Sequence, residues 1–179
     1  MFARTERLLL RPGWLDDAEA LTHAIAHEAV AYKLARLPWP YRVADAQWFL
    51  GVERGAGDIS FLIFLRSEAA PALIGGIGIH PDENGAPEIG YWLSPDHWGR
   101  GYATEAGRAV MNIARYGLRL PKLVSGHFVD NPNSGNVLLK LGFVPTGQVV
   151  PRLCLARGQE LPCALYEADL GETFQSLAA

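Results

Sequence analysis

A chain of 179 residues with 49% hydrophobic side chains is long enough to bury a substantial core and reads as one domain over residues 1–179. The formal net charge of −3 argues against a general nucleic-acid binder, which needs a concentrated basic surface to neutralise phosphates, so no direct nucleic-acid partner is expected. Two cysteines, Cys154 and Cys163, are too few for a disulfide framework and lack metal-ligand spacing. Arg4, Glu6 and Arg7 before a short apolar run fit neither a signal peptide nor a membrane span, so a soluble cytoplasmic protein is expected.

Residues 5–11 have strand character, ended by Pro12-Gly13. From Asp16 the pattern turns helical: Asp16, Asp17 and Glu19 suit a first turn, and Ala18, Leu21, Ile25 and Ala29 form a spaced apolar face. His23 and His27 lie four apart on it, but with no third ligand they read as solvated or packing histidines, and no metal is expected. Prolines 38 and 40 make residues 37–41 a loop, on which Trp39 and Tyr41 either wall a ligand cleft or cover the core. A second helix is read over 44–53 and a turn over 55–58. Strands follow at 60–66 and 73–80, joined near Ala70-Pro71, then a turn over 82–87 and a strand over 88–93. Helix 104–117 carries apolar residues at 106, 109, 110, 113 and 114. Strand 123–129, helix 133–141 with Gly142 at its end, and closing strands 143–150 and 161–170 complete the chain.

Residues 96–108, D-H-W-G-R-G-Y-A-T-E-A-G-R, join the strand over 88–93 to the helix that follows. Gly99 and Gly101 permit backbone conformations that a Cβ forbids; with small Ala103 and Thr104, which can help cap, the turn ends on exposed N–H groups that favour an anion. No G-x-x-x-x-G-K-[ST] run occurs, and the glycine series stops short of a dinucleotide fingerprint. The spacing fits [Gln/Arg]-x-x-Gly-x-[Gly/Ala] at Gly101 and Ala103, with Trp98 in place of Gln or Arg.

On these residues the chain resembles the GNAT superfamily of acyl-CoA-dependent N-acyltransferases. In particular it resembles the branch containing the ribosomal-protein alanine and serine N-terminal acetyltransferases, where Trp-Gly-x-Gly-Tyr-Ala is the usual form. Glu88-Ile-Gly-Tyr-Trp-Leu, Asn131-Pro-Asn-Ser134 and Lys140-Leu-Gly-Phe143 follow the same resemblance in the same order. It implies a mixed α/β (α+β) sandwich around a mostly antiparallel, twisted sheet flanked by helices, with two strands splayed apart to admit acetyl-CoA.

The resemblance also implies site residues. The pyrophosphate rests on amides of Gly99, Arg100, Gly101, Tyr102, Ala103 and Thr104, and the pantetheine arm runs along Trp92, Leu93 and Ser94. Arg100 either adds charge to a phosphate or is a solvated loop residue. Asn131 contacts the coenzyme or is a turn residue before Pro132. Glu88 is the candidate base for the amine, directly or through water, against an ordinary strand-end carboxylate; His80 and Asp82 are weaker candidates. Many relatives place an acidic Tyr where this chain has Leu138, so Ser134 is the candidate hydrogen-bond donor to the leaving sulfur, or caps the helix that follows. Trp39 and Tyr41 border the acceptor. The expected reaction is direct attack of a primary amine on acetyl-CoA, with no acetyl-enzyme on Cys154 or Cys163. The acceptor is a protein or peptide N-terminus, with a small-molecule amine or a non-catalytic acyl-CoA sensor as alternatives, in a monomer or a homodimer.

Overall fold

The computed structural model describes residues 1–55, 57–66 and 71–171. Eight strands form one sheet: β1 (Ala3–Arg4), β2 (Leu8–Arg11), β3 (Ile59–Leu65), β4 (Ala72–Pro81), β5 (Pro87–Leu93), β6 (Lys122–Phe128), β7 (Val144–Cys154) and β8 (Gln159–Asp169), in spatial order β1-β2-β3-β4-β5-β6-β8-β7. Every pairing is antiparallel except β5–β6, which is parallel. The helices are α1 (Ala18–Ile25), α2 (Glu28–Ala31), α3 (Val43–Gly51), α4 (Tyr102–Asn112) and α5 (Pro132–Lys140). No helix among the described residues is long and apolar enough to cross a membrane.

Alternation along the strands sends side chains to two cores. From β3, Ile59, Phe61 and Ile63 join Ile77, Ile79, Ile89, Leu123 and the α4 residues Ala106 and Val110 on one face. Leu62 and Phe64 point the other way, to Leu21, Ile25, Val30 and Ala46 of α1–α3. A smaller cluster of Phe128, Cys154 and Cys163 lies under the β7–β8 hairpin, and both cysteines are free and buried.

The elements differ from the sequence reading in four places. The strand expected over 5–11 starts only at Leu8, with a separate two-residue β1 before it, because Thr5 turns the chain: its backbone N–H donates to the Leu8 carbonyl and its hydroxyl oxygen accepts from the Leu8 N–H. The first helix breaks after Ile25, where Ala26 leaves the helical region (ψ 60°), so Ala29 is exposed while Val30 and Ala31 are buried. The 104–117 helix starts earlier, at Tyr102, and its last turn over Ile113–Gly117 widens to π type. The strand expected over 143–150 runs on through Pro151 to Cys154, and the last one starts earlier, at Gln159; Pro151 and Pro162 face each other across β7–β8, so the ladder loses both N–H groups at one step. Ala56 and Ala70, parts of two expected turns, lie outside the described residues.

Before α1, Arg11 makes a two-pronged pair with Asp17, Nη1 to Oδ2 and Nη2 to Oδ1, both 2.7 Å, with the guanidinium also over the Trp14 and Phe64 rings. Arg11 first, and the Trp14 backbone N–H after it, hold the Asp17 carboxyl below the usual carboxylate range against the opposing effect of burial. A carboxyl lowered in the folded state contributes stability that is complete above its unfolded value and disappears as pH falls through the folded one. Asp17→Asn is therefore expected to cost about 2 kcal/mol at pH 7, the scale of charged hydrogen bonds, with the difference from wild type shrinking towards pH 3 in urea unfolding.

Candidate active site

Between β5 and β6 the sheet comes apart. Only Glu88↔Val124 is in register, and one ring of the ladder is replaced by a side chain: buried Ser125 donates from Oγ to the Ile89 carbonyl at 2.9 Å. Beyond this pin the strands diverge, so no residue of β6 pairs with Gly90, Tyr91, Trp92 or Leu93. The free edge of β5 forms one wall of a V.

From the end of β5 the chain passes through a short 3-10 turn, Pro95–His97, and enters α4 over Trp98-Gly-Arg-Gly101. Gly99 and Gly101 have φ of +73° and +80°, the left-handed region in which a Cβ is strained. Gly101 is the N-cap of α4 and brings no side chain to it, so the first-turn amides are left without a side-chain acceptor, at the positive end of the helix dipole. Thr104, expected at the cap, lies inside the first turn and is buried, because the glycine turn already reverses the chain.

The loop is braced from behind. Glu105 Oε1 accepts from Thr5 Oγ1 (2.6 Å) and from the Arg7 backbone N–H (2.9 Å), and Oε2 accepts from Arg7 Nε (2.7 Å). Arg7 Nη1 donates to the Arg100 carbonyl at 3.0 Å, and its guanidinium covers the Tyr102 ring at 4.5 Å. Burial pushes the Glu105 carboxyl up, but the hydrogen bonds from Thr5 and Arg7 outweigh it and hold the group below its ordinary value. At the other end Trp98 Nε1 donates to the Leu93 carbonyl at 2.8 Å, tying the loop to β5 in the position where the family pattern has Gln or Arg.

These elements enclose a cleft of about 320 Å³. Among the residues expected to hold the coenzyme, Trp92, Leu93, Gly99, Gly101, Tyr102, Ala103, Thr104 and Asn131 line it, together with Ser134. Arg100 is exposed outside the lining, and Ser94 is buried with its N–H donating to the Ile74 carbonyl. Tyr41 lies in the α1–α3 core, where burial, helped by the Asp45 charge, pushes its hydroxyl up to about 12; Trp39 is 36% exposed, and neither lines this cleft.

The cleft also holds Tyr91, Lys33 and Lys140, which sequence reading did not single out. Tyr91 lay in the quoted motif, Glu88-Ile-Gly-Tyr91, but its partner is visible only in space. Its hydroxyl donates to the Ser134 carbonyl at 2.8 Å and lies 3.0 Å from Ser134 Oγ, and burial pushes its pKa up to about 12, so it stays protonated at neutral pH. Ser134 is the third residue of α5 rather than its cap, and its hydroxyl serves Tyr91. Lys33 reaches the cleft from beyond α2, 5.8 Å from the Trp98 ring, and had no local signal. The His97 ring is buried at Nδ1, which has no partner among the described residues.

Glu88 lies on the face of β5 opposite Tyr91 and outside the cleft lining. Its Oε1 accepts from Arg152 Nη1 at 2.6 Å, with side-chain exposures of 17% and 26%. His80 sits directly across on β4, where burial holds its imidazole below the usual histidine value. Asp82 accepts from the Asn84 and Ala86 N–H groups in the β4–β5 turn and is occupied there. His23 and His27 find no further ligand, and no group of three metal-ligating side chains occurs among the described residues.

A sheet split beside a glycine turn with free first-turn amides fits a phosphate-bearing, extended cosubstrate. The acetyltransferase (GNAT) domain family matches residues 7–144, most of the chain, and the chain belongs to that family. It is 31% identical over 148 residues to the uncharacterized N-acetyltransferase YoaA of Bacillus subtilis (strain 168), covering 80% of this chain and 82% of that one. It is 34% identical over 112 residues to the ribosomal-protein-serine acetyltransferase of Escherichia coli (strain K12), covering 62% of this chain and 57% of that one. The crystal structure of a GNAT-family acetyltransferase from Bacillus anthracis has the same fold, with a TM-score of 0.79 at 23% identity, covering 95% of this chain and 99% of that one. The chain is thus an acetyltransferase of the GNAT fold, moving an acetyl group from acetyl-CoA to an amine.

Proposed function

We propose that the acceptor is the N-terminal amine of a protein or peptide, as in the ribosomal-protein acetyltransferases, and that it attacks acetyl-CoA directly from the Glu88 face of the split sheet. The observation that carries this reading is the opening over Gly90. This residue is exposed in mid-strand, a Cβ added there would meet nothing within 4 Å, and it lies between Glu88 and Trp92 on the same face. An extended chain end can lie along this open stretch of strand and bring its amine to Glu88.

The cleft fits acetyl-CoA as cosubstrate. The amides of Tyr102, Ala103 and Thr104 are available to the pyrophosphate, and the unpaired edge from Tyr91 to Leu93 is available to the pantetheine arm. Lys33 and Lys140 supply positive charge along the lining. Glu88 Oε2, which accepts no hydrogen bond among the described residues, takes a proton from the incoming amine, directly or through water. The amine nitrogen bonds to the thioester carbon, the carbon–sulfur bond breaks, and Ser134 Oγ–H turns from Tyr91 to the departing thiolate, while Tyr91 keeps its own proton on the Ser134 carbonyl and so holds the start of α5 in place. Cys154 and Cys163 take no part in this route. Cys154 Sγ is fully buried at 3.5 Å from the Leu34 carbonyl, and burial pushes the Cys163 thiol up, away from the reactive thiolate.

The test is calorimetric binding of acetyl-CoA followed by thiol release with pools of peptides and of small amines. Release with peptides bearing a free N-terminus, and none with N-terminally blocked ones, supports the reading. Release only with small amines removes the N-terminal acceptor, and binding without release in any pool favours a sensor.

A further inference from the structure

Arg152 belongs to β7, which stands three places from β5 in the sheet, yet its guanidinium bonds to Glu88. To do so it crosses the face formed by β8 and β6 at the mouth of the V. Only Arg152 Nη1 and Glu88 Oε1 are used in this pair. Arg152 Nε and Nη2, and Glu88 Oε2, have no hydrogen-bond partner among the described residues, and neither side chain is fully buried. The sheet under this pair is floored by glycine: Gly78 and Gly90 are directly paired, and Gly90 is open above. Beside the amine's proton acceptor lies a forked, permanently charged donor with two of its three nitrogens unused.

His80 does not compete for this role, because burial keeps its imidazole below the usual value and so uncharged near neutral pH. Arg54 is occupied by the Phe49 and Val52 carbonyls. Planar, two-pronged donation is the geometry in which arginine binds a carboxylate, and a lysine in its place would be a point charge.

We propose that Arg152 binds a carboxylate carried by the acceptor within a few bonds of the reacting amine, so that Glu88 and Arg152 together recognise an amine–carboxylate pair. On a protein N-terminus that carboxylate is the side chain of an acidic first residue; a free α-amino acid presents the same chemistry. The inference rests on the proposed amine acceptor and assigns its charge.

The experiment compares thiol release by wild type, Arg152→Gln and Arg152→Lys with C-terminally amidated peptides beginning Asp, Ala and Lys, and with free aspartate. Acetyl-CoA binding and thermal melting are measured on each variant. Wild type is expected to prefer the Asp peptide over the Ala peptide by roughly tenfold in kcat/KM, mainly through KM, and the Lys peptide is expected to be poorest. Arg152→Gln brings the Asp/Ala ratio close to one, and Arg152→Lys retains part of it, so the lysine variant carries the test if the glutamine variant does not fold. A purely structural role for Arg152 lowers all peptides together and leaves the ratio intact, which overturns the proposal, as does a wild type with no preference for the carboxylate. Turnover of free aspartate in preference to the Asp peptide keeps the recognised chemistry and reassigns its source. Acetyl-CoA binding without turnover of any amine instead removes the acceptor reading beneath it.

Discussion

Gly101→Trp is expected to abolish acetyl-CoA binding, a loss of more than roughly a hundredfold in affinity, while Gly101→Ala weakens it far less. The two substitutions separate backbone from volume. At φ of +80° any side chain carries a cost of about 1–2 kcal/mol, so both variants lose some stability. A Cβ alone meets only Arg7 Nη2, at an ordinary 3.5 Å. The indole, by contrast, must lie over the first-turn amides of α4 or in the cleft that Gly101 lines. Calorimetry with acetyl-CoA, alongside a melting curve for each variant, reads the two effects independently. Unchanged affinity in a folded tryptophan variant would place the coenzyme elsewhere.

The second large effect is expected at Glu88. Glu88→Gln keeps the shape and an oxygen for Arg152 Nη1, but cannot take up the amine proton. With Glu88 as the base, kcat falls by about 10²-fold, the lower end of what positioned proton transfer contributes, and acetyl-CoA affinity stays the same because the residue is not part of the cleft lining. Single-turnover thiol release at saturating acceptor measures this. An undiminished rate assigns the carboxylate to holding Arg152 alone.

Much of the fold was legible because its signals are local. The buried runs of β3 and β4, the turns around them, and the Gly99–Gly101 loop are set by alternation and by residues with few conformational options. The break after Ile25 was not, since Ala26-His27-Glu28 contains no residue that forbids a helix; tertiary packing of Val30 and Ala31 decided it. The closing strand expected to stop at 150 runs on through Pro151: proline weakens a strand by a missing donor, and two prolines placed opposite each other lose their donors at one shared step of the ladder. In the site, the glycine loop was readable from spacing, and Ser134 was named only through the family resemblance. The Glu88–Arg152 pair joins residues 64 apart through the twist of a hairpin over a split sheet, and Tyr91–Ser134 joins residues 43 apart across the V; neither leaves a pattern in the chain.

The brace behind the coenzyme loop bears on the order in which the molecule becomes competent. Thr5 and Arg7 meet Glu105 and Arg100 across separations of 93 to 100 residues, among the long-range contacts that loop-closure entropy makes costly to form early. The motif that marks the loop is contiguous, yet its final shape depends on the first strands having docked at the far side of the sheet. With the coenzyme proposed to rest on this loop, its binding is expected to require the closed chain, and a fragment holding only β5, the loop and α4 would carry the signature without the support that sets its geometry.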